Sequence, residues 1–265
     1  MAVKLVALDI DGTLVGPGNS SAPSELAKAA VAELRKQGVV VILASGRMFP
    51  GTAAVARDLG LDTPMICQQG CSVHLADGRI LHRFPIERNA AMHVIGYAKE
   101  RGHLYEWFDP LRYVASRQNP ASDEYGRVSG IQPEYRPDPE NSGFEPTGVG
   151  IISTAEQASG IHEALVSHHG EALHVLDFPA VTVAVAPEAN KGHALSLICD
   201  DLGVDRHETI AVGDSVNDAA MLAWAGRGFA MAHSDRYALE AADEVLPDSD
   251  DALAKLLERV TKDPV

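Results

Sequence analysis

The chain has 265 residues, 46% hydrophobic and 22% charged, enough to bury a substantial core as one large domain or two modest ones. Its formal net charge of −15 argues against a nucleic-acid backbone or an anionic membrane surface as the main partner, although local cations can still receive a phosphorylated ligand. Cys67, Cys71 and Cys199 are too few for a disulfide framework and read as small buried hydrophobes; no apolar run reaches membrane-spanning length, and no leader pattern opens the chain, so a cytoplasmic location is expected.

In chain order, the apolar run at 3–10 (VKLVALDI) suits a parallel strand buried on both faces and ending in acids. Helical spacing follows at 23–37, with Gly38 as a stop. A second buried strand at 39–45, a helix at 49–59 and a third strand at 64–69 continue an alternation that predicts a doubly wound, mainly parallel α/β sheet. After Ser72 the pattern changes. The turn Ala76-Asp77-Gly78-Arg79 joins two short strands. A helix at 87–101 precedes strands at 103–109 and 112–116, and the Pro-, Gly- and Asn-rich stretch 117–143 reads mainly as loop. A strand at 147–153, a helix at 155–169 and strands near 172–178 and 182–186 repeat the helix–strand–strand order. From Lys191 the first pattern resumes: helix 191–202, strand 209–212, helix 217–225, strand 228–231 and a final amphipathic helix at 250–260. The chain thus divides into a core of residues 1–78 and 188–265 and an inserted α+β cap of residues 79–187.

Asp9-Ile10-Asp11-Gly12-Thr13 closes the first strand. Side chains alternate along a strand, so Asp9 and Asp11 are expected on one side with Ile10 opposite, at the strand end that borders the ligand crevice of an open α/β sheet. Two crowded carboxylates repel unless a cation lies between them or one is protonated, and magnesium with its preference for oxygen is the natural cation. A plain Asp-Gly turn explains the pair about as well when it is taken alone. Gly213-Asp214-Ser215-Val216-Asn217-Asp218 sets a second acidic cluster at another strand end. Asp214 suits a further metal ligand there, while Asn217 and Asp218 stand where helix caps are common. Ser45-Gly46-Arg47 ends the second strand, where a hydroxyl and an unhindered amide suit a phosphate oxygen; most strand-to-helix turns share this composition. Lys191 opens a helix, a position the helix dipole disfavours for a cation. It is either a solvated surface charge or a reach toward phosphate that offsets the acids.

Taken in chain order, Asp9–Thr13, Ser45–Arg47, Lys191 and Gly213–Asp218 resemble the four motifs of the haloacid dehalogenase superfamily of phosphohydrolases. The doubled αββ cap between the second and third is similar to the Cof-type, or type IIB, branch. The resemblance covers nearly the whole chain and implies a HAD-like Rossmannoid core with a type C2B cap. It implies that Asp9 is a nucleophile forming an aspartyl-phosphate and that Asp11 is acid to the leaving alcohol and then base to water. Mg2+ would be held by Asp9, the backbone carbonyl of Asp11 and Asp214, with Asp218 behind them. The Ile10 amide, Ser45, Gly46, Lys191 and Asn217 would hold phosphoryl oxygens. Two segments depart from the family pattern: Gln69-Gly70-Cys71 stands where Asn-Gly-Ala is common, and Ala232-His233-Ser234 where Gly-Asn-Ala is common. No role is carried onto either.

Eleven histidines are scattered without an HExxH, so structural or surface roles are expected, and no Walker loop or GxGxxG indicates nucleotide binding. Glu106, Trp107, Asp109, Arg112 and Tyr113 form an aromatic and charged group that a half-buried strand pair explains slightly better than a substrate wall. The expected activity is magnesium-dependent hydrolysis of small phosphorylated metabolites such as sugar phosphates. A hexose-phosphate mutase and a phospho-accepting switch are the rivals; Asp11, poised to activate water, stands against the switch. Oligomeric state has no signature in the sequence.

Overall fold

The structure, a computed structural model, describes residues 2–16 and 22–262. The chain first lays down β1 (Leu5–Leu8), α1 (Glu25–Lys36), β2 (Val40–Ala44), α2 (Phe49–Asp58), β3 (Met65–Cys67), β4 (Ser72–His74) and β5 (Ile80–Arg83). It then crosses to a second unit: α3 (Arg88–Glu100), β6 (Leu104–Phe108), β7 (Tyr113–Ala115), α4 (Pro120–Ser129), β8 (Glu134–Tyr135), β9 (Gly148–Ile152), α5 (Ala155–His169), β10 (His174–Phe178) and β11 (Val181–Val185). It returns through α6 (Lys191–Leu202), β12 (Thr209–Gly213), α7 (Ala219–Trp224), β13 (Arg227–Ala230), α8 (Arg236–Ala241), β14 (Glu244–Val245) and α9 (Ala252–Lys262).

The first sheet runs β14-β13-β12-β1-β2-β3-β4-β5, parallel from β14 to β3 and antiparallel through β4 and β5. Order reverses at β1, so its C-terminal end opens onto the crevice where such sheets bind ligands. β1 is buried on both faces: Val6 and Leu8 pack with α1, α2 and α9, and Leu5 and Ala7 with α6, α7 and α8. That double burial explains its unbroken apolar run. The second sheet runs β10-β11-β9-β6-β7-β8. Its outer face buries Tyr105 and Trp107 under α3 and α5, while its inner face turns Phe108, Tyr113 and Val183 toward Met48 and Cys71 of the first unit.

Several sequence expectations change. The break placed at residue 78 falls inside the first sheet, because β5 pairs with β4 and the chain leaves that sheet only after Arg83. The stretch 117–143 holds α4 and β8. Asn119 caps α4, Pro120 opens it and left-handed Gly130 ends it; its buried residues are Ser122, Gly126 and Ser129, and its short apolar stripe of Ala121, Tyr125 and Val128 lines the cavity. The third strand stops at Cys67, and Gln68 and Gln69 turn into left-handed backbone with φ 50° and 61°. The helix expected at 217–225 is Ala219–Trp224.

The two units meet where α4 crosses α2. Ser129 Oγ accepts from the Met48 amide at 3.1 Å, and Tyr125 Oη donates to the Gly46 carbonyl at 3.2 Å. A Cβ on Gly51 of α2 would stand 2.3 Å from the Val128 carbonyl oxygen and 2.8 Å from the Ser129 Cα. Alanine is the better helix former by about 1 kcal/mol, yet this close approach makes Gly51→Ala an overpacking change of roughly 1–3 kcal/mol. Gly51→Ala is therefore expected to lower the thermal midpoint and raise KM for any substrate held between the units. A variant as stable and as tight-binding as the parent would show that α4 is not seated on α2.

Candidate active site

The ends of β1, β2 and β12 and the start of α6 bring the four sequence segments to one place. Asp9, just past β1, is only 3% exposed. Lys191 is fully buried, and its Nζ donates to Oδ1 of Asp9 at 2.7 Å and to Oδ1 of Asp218 at 2.6 Å. Of the two readings left open for Lys191, the solvated one is excluded. Burial alone would lower the Lys191 pKa, but the charges of Asp218 and Asp9 outweigh it and the net shift is upward. For Asp9 burial is again the leading cause, and with repulsion from Asp218 it drives the carboxyl well above the ordinary range against the pull of Lys191. Oδ2 of Asp9 is buried and has no hydrogen-bond partner among the described residues.

Asp214 lies beside Gly12, whose φ of +88° suits glycine and whose Cβ, if present, would sit 2.1 Å from Oδ2 of Asp214. Burial, then the charge of Asp218, raises the Asp214 carboxyl to about 7. Asp9, Asp214 and Asp218 each bring one carboxylate oxygen within 4.8 Å of the others. Asp218 stands at the N-cap of α7 but its side chain makes no capping bond: its Oδ2 accepts the amides of Asp214 and Ser215, both at 3.0 Å, and so braces the loop after β12. With its Oδ1 on Lys191, Asp218 acts as a support. The oxygen-only donors, the surplus of negative charge and the unpartnered oxygen of Asp9 fit a hard divalent cation, with Asp9 and Asp214 the side chains able to hold it.

Asp11 departs from the sequence picture. Its side chain is half exposed and forms a two-pronged pair with Arg47, Nε to Oδ2 at 2.8 Å and Nη2 to Oδ1 at 2.5 Å. Arg47 itself is buried. Asp9 and Asp11 therefore do not crowd one another: one turns inward to Lys191, the other outward to Arg47. Ile10 is buried with Val6 and Leu8. Ser45 is buried and its Oγ accepts from the Arg47 amide at 3.1 Å. Asn217 adjoins the same turn, since a Cβ on Gly46 would lie 3.3 Å from its Nδ2.

A cavity of 360 Å³ joins these groups to the inner face of the second sheet. Asp9, Asp11, Gly46, Asp214 and Asn217 form one end; Phe108, Tyr113, Tyr125, Phe178, Val181 and Val183 form an apolar wall; Glu106 adds a carboxyl to that wall. The preference for a plain strand pair is overturned for Glu106 and Tyr113, which line the cavity, and stands for Trp107, which turns outward and donates Nε1 to the Phe144 carbonyl. The signal was the period of two: Tyr105 and Trp107 share one face of β6, Glu106 and Phe108 the other. Glu106 accepts from Tyr113 Oη and, at 3.3 Å, from Ser122 Oγ. Burial raises its pKa to about 7, with those two hydrogen bonds opposing. Gly150, opposite Glu106 in the ladder, leaves the room the carboxyl occupies.

The model of the haloacid dehalogenase-like hydrolase family matches residues 6–257. Phosphatase YwpJ of Bacillus subtilis is 26% identical over 277 residues, covering 94% of this chain and 96% of that protein. The HMP-PP phosphatase of Escherichia coli O6:H1 is 25% identical over 232 residues, covering 87% and 85%. A solved HAD subclass IIB sugar phosphatase superposes with a TM-score of 0.82 over 97% of this chain and 98% of that one; at 19% identity the likeness is one of fold. Both sheets and all four motif segments lie within these matches, and the chain therefore belongs to the haloacid dehalogenase-like hydrolases, as a phosphatase of their Cof type.

Proposed function

We propose that this phosphatase hydrolyses small phosphomonoesters with magnesium through a phosphorylated Asp9. The observation that carries the reading is Asp9 itself: one oxygen is fixed by Lys191, the other is buried and unpartnered among the described residues, and the residue lines the cavity with Asp214 and Asn217. In the first half-reaction Asp9 bonds to phosphorus, the bond from phosphorus to the leaving oxygen breaks, and Asp11 gives that oxygen a proton. In the second, Asp11 takes a proton from water, the water oxygen bonds to phosphorus, and the acyl-phosphate bond to Asp9 breaks. Asp11 serves both halves by exchanging its hold on Arg47 for the reacting oxygen. Magnesium, held by Asp9, the Asp11 carbonyl and Asp214, would supply the positive charge that lets an anionic ester meet an anionic nucleophile. Ser45, Gly46, Asn217 and the Ile10 amide orient the phosphoryl oxygens, and Lys191 holds Asp9 in place and opposes the upward shift of its carboxyl.

The wall supports a narrower substrate class. Six apolar or aromatic side chains with one buried carboxyl suit a leaving group with a flat or apolar face and one polar group directed at Glu106. A fully hydroxylated sugar would leave several hydroxyls against apolar surface. Sugar phosphates and phosphorylated heteroaromatic alcohols therefore belong side by side in a substrate panel, with the second class expected to show the higher kcat/KM.

Phosphate release from such a panel should require Mg2+ and vanish in Asp9→Asn; turnover by that variant at the parental rate would refute the nucleophile. Asp11→Asn should lose about 10²–10⁴-fold in kcat, and with an activated aryl phosphate it should accumulate acid-stable, hydroxylamine-labile phosphoprotein. Full turnover by Asp11→Asn would remove Asp11 from both half-reactions. Glu106 yields a stability test. A free glutamate releases its proton near 4.5 and the folded one near 7, so its contribution is complete below about 4.5 and is lost as pH rises toward 7. In saturating Mg2+, Glu106→Gln should flatten the fall of stability across that window by up to about 3 kcal/mol, read by denaturant unfolding at several pH values. An unchanged slope would place the Glu106 proton elsewhere.

A further inference from the structure

The outer face of the second unit, on the far side of its sheet from Glu106, gathers three of the histidines that looked scattered in the sequence. His93 lies on α3, and His168 and His169 end α5. The His168 and His169 rings stand 4.7 Å apart, and those of His93 and its two neighbours 5.9 and 6.0 Å. One ring nitrogen from each can be chosen so that all three lie within 4.8 Å of one another. No ring nitrogen of the three makes a hydrogen bond to a described residue. His93 and His168 are exposed and His169 half-buried. They line a hollow between the helices that Gly96 keeps open, with Tyr97 and Glu100 on the α3 side.

We propose that this hollow is a binding site for one zinc ion, or a first-row divalent cation of like preference, held by His93, His168 and His169 with water completing the tetrahedron. Neutral imidazole is the ligand such ions favour, three of them make a recurrent set, and hard cations such as magnesium prefer the oxygen cluster at Asp9 and Asp214. Three considerations converge. Imidazoles brought together without hydrogen bonds gain nothing from one another, and protonation would make them repel. Burial, then the nearness of His168 and His93, lowers the His169 pKa, the direction that favours a ligating ring. The ion would also stand at the C-terminus of the 15-residue helix α5, where the helix dipole favours positive charge. Ring nitrogens up to 4.8 Å apart must close by about 1.5 Å to meet a tetrahedral ion at roughly 2.0–2.1 Å, a movement exposed side chains allow. Bound there, the ion ties α3 to the end of α5 and stiffens the outer layer over the sheet whose inner face lines the cavity.

The test uses the full-length, untagged protein in saturating Mg2+, which occupies the acidic cluster, with zinc added alone and followed by calorimetry, and with cobalt followed by its visible absorption. The parent should bind one zinc ion per chain and give the intense visible bands of tetrahedral cobalt. His93→Ala and His168→Ala should each weaken zinc binding by at least about tenfold while magnesium-dependent phosphatase activity is retained, which shows the fold intact. Zinc should raise the thermal midpoint of the parent and leave that of His93→Ala unmoved. The proposal falls if the parent binds no zinc under these conditions. It falls equally if the histidine variants bind zinc as tightly as the parent, or if Asp214→Asn rather than His93→Ala removes the binding.

Discussion

The site depends on a buried ammonium between two carboxylates. Lys191 is fully buried with Asp9 and Asp218 on either side, an arrangement whose desolvation cost is offset only when geometry and hydrogen bonding are complete. Here they are complete for the lysine and for Asp218, whose second oxygen accepts two backbone amides. They are incomplete for Asp9. One lysine faces Asp9, Asp214 and Asp218, and the Asp9 and Asp214 carboxyls are shifted upward, by burial first and then by the charge of Asp218. The local structure is thus finished except at Oδ2 of Asp9. The surplus of negative charge there suits a cation.

The second constraint is that the cavity has two owners. The first sheet contributes charged groups from strand ends and a helix start, all close in space because β1 is central and β2 and β12 flank it. The second contributes an apolar wall from β6, β7 and β11 and from α4. Neither half encloses a ligand alone. The contacts of α4 with Met48, Gly46 and Gly51 set the distance between them.

Legibility in the sequence followed the physics of each part. The core was readable because strands buried on both faces must be apolar throughout, as at Leu5–Leu8, and because turns after them carried acids, Ser-Gly and a lone lysine in order. The segments that carry these residues meet in space, Lys191 on Asp9 and Asp218, and Arg47 on Asp11. The partner of Asp11 was not readable: that Arg47 turns back to it is a tertiary fact, and alternation along a strand says nothing once β1 has ended at Leu8. α4 was missed because its packed face is serine and glycine. Glu106 was undervalued because one acid in an aromatic strand looks alike on either face until the sheet is seen. The three outer histidines come from two helices nearly seventy positions apart, beyond any local pattern.

The departures at Gln69-Gly70-Cys71 can now be given a physical reason. Gln68 and Gln69 both adopt left-handed backbone, costing about 1–2 kcal/mol each for residues with a side chain. Asparagine tolerates that region better than glutamine, so the pair holds its shape because its surroundings impose it. The Gln68 amide donates to the Arg47 carbonyl at 2.9 Å and the Gln69 amide to the Ser45 carbonyl at 3.2 Å. Gln68 Nε2 reaches across to the Asp109 carbonyl at the end of β6, also at 2.9 Å. The strained turn therefore ties the Ser45-Gly46-Arg47 turn to the strand that carries Glu106. It also leaves Oε1 of Gln69 buried and unpartnered on the side chain that lines the cavity. A glutamine reaches one methylene further than asparagine, and here its oxygen lies against Gly46, where a Cβ would stand 2.9 Å from it.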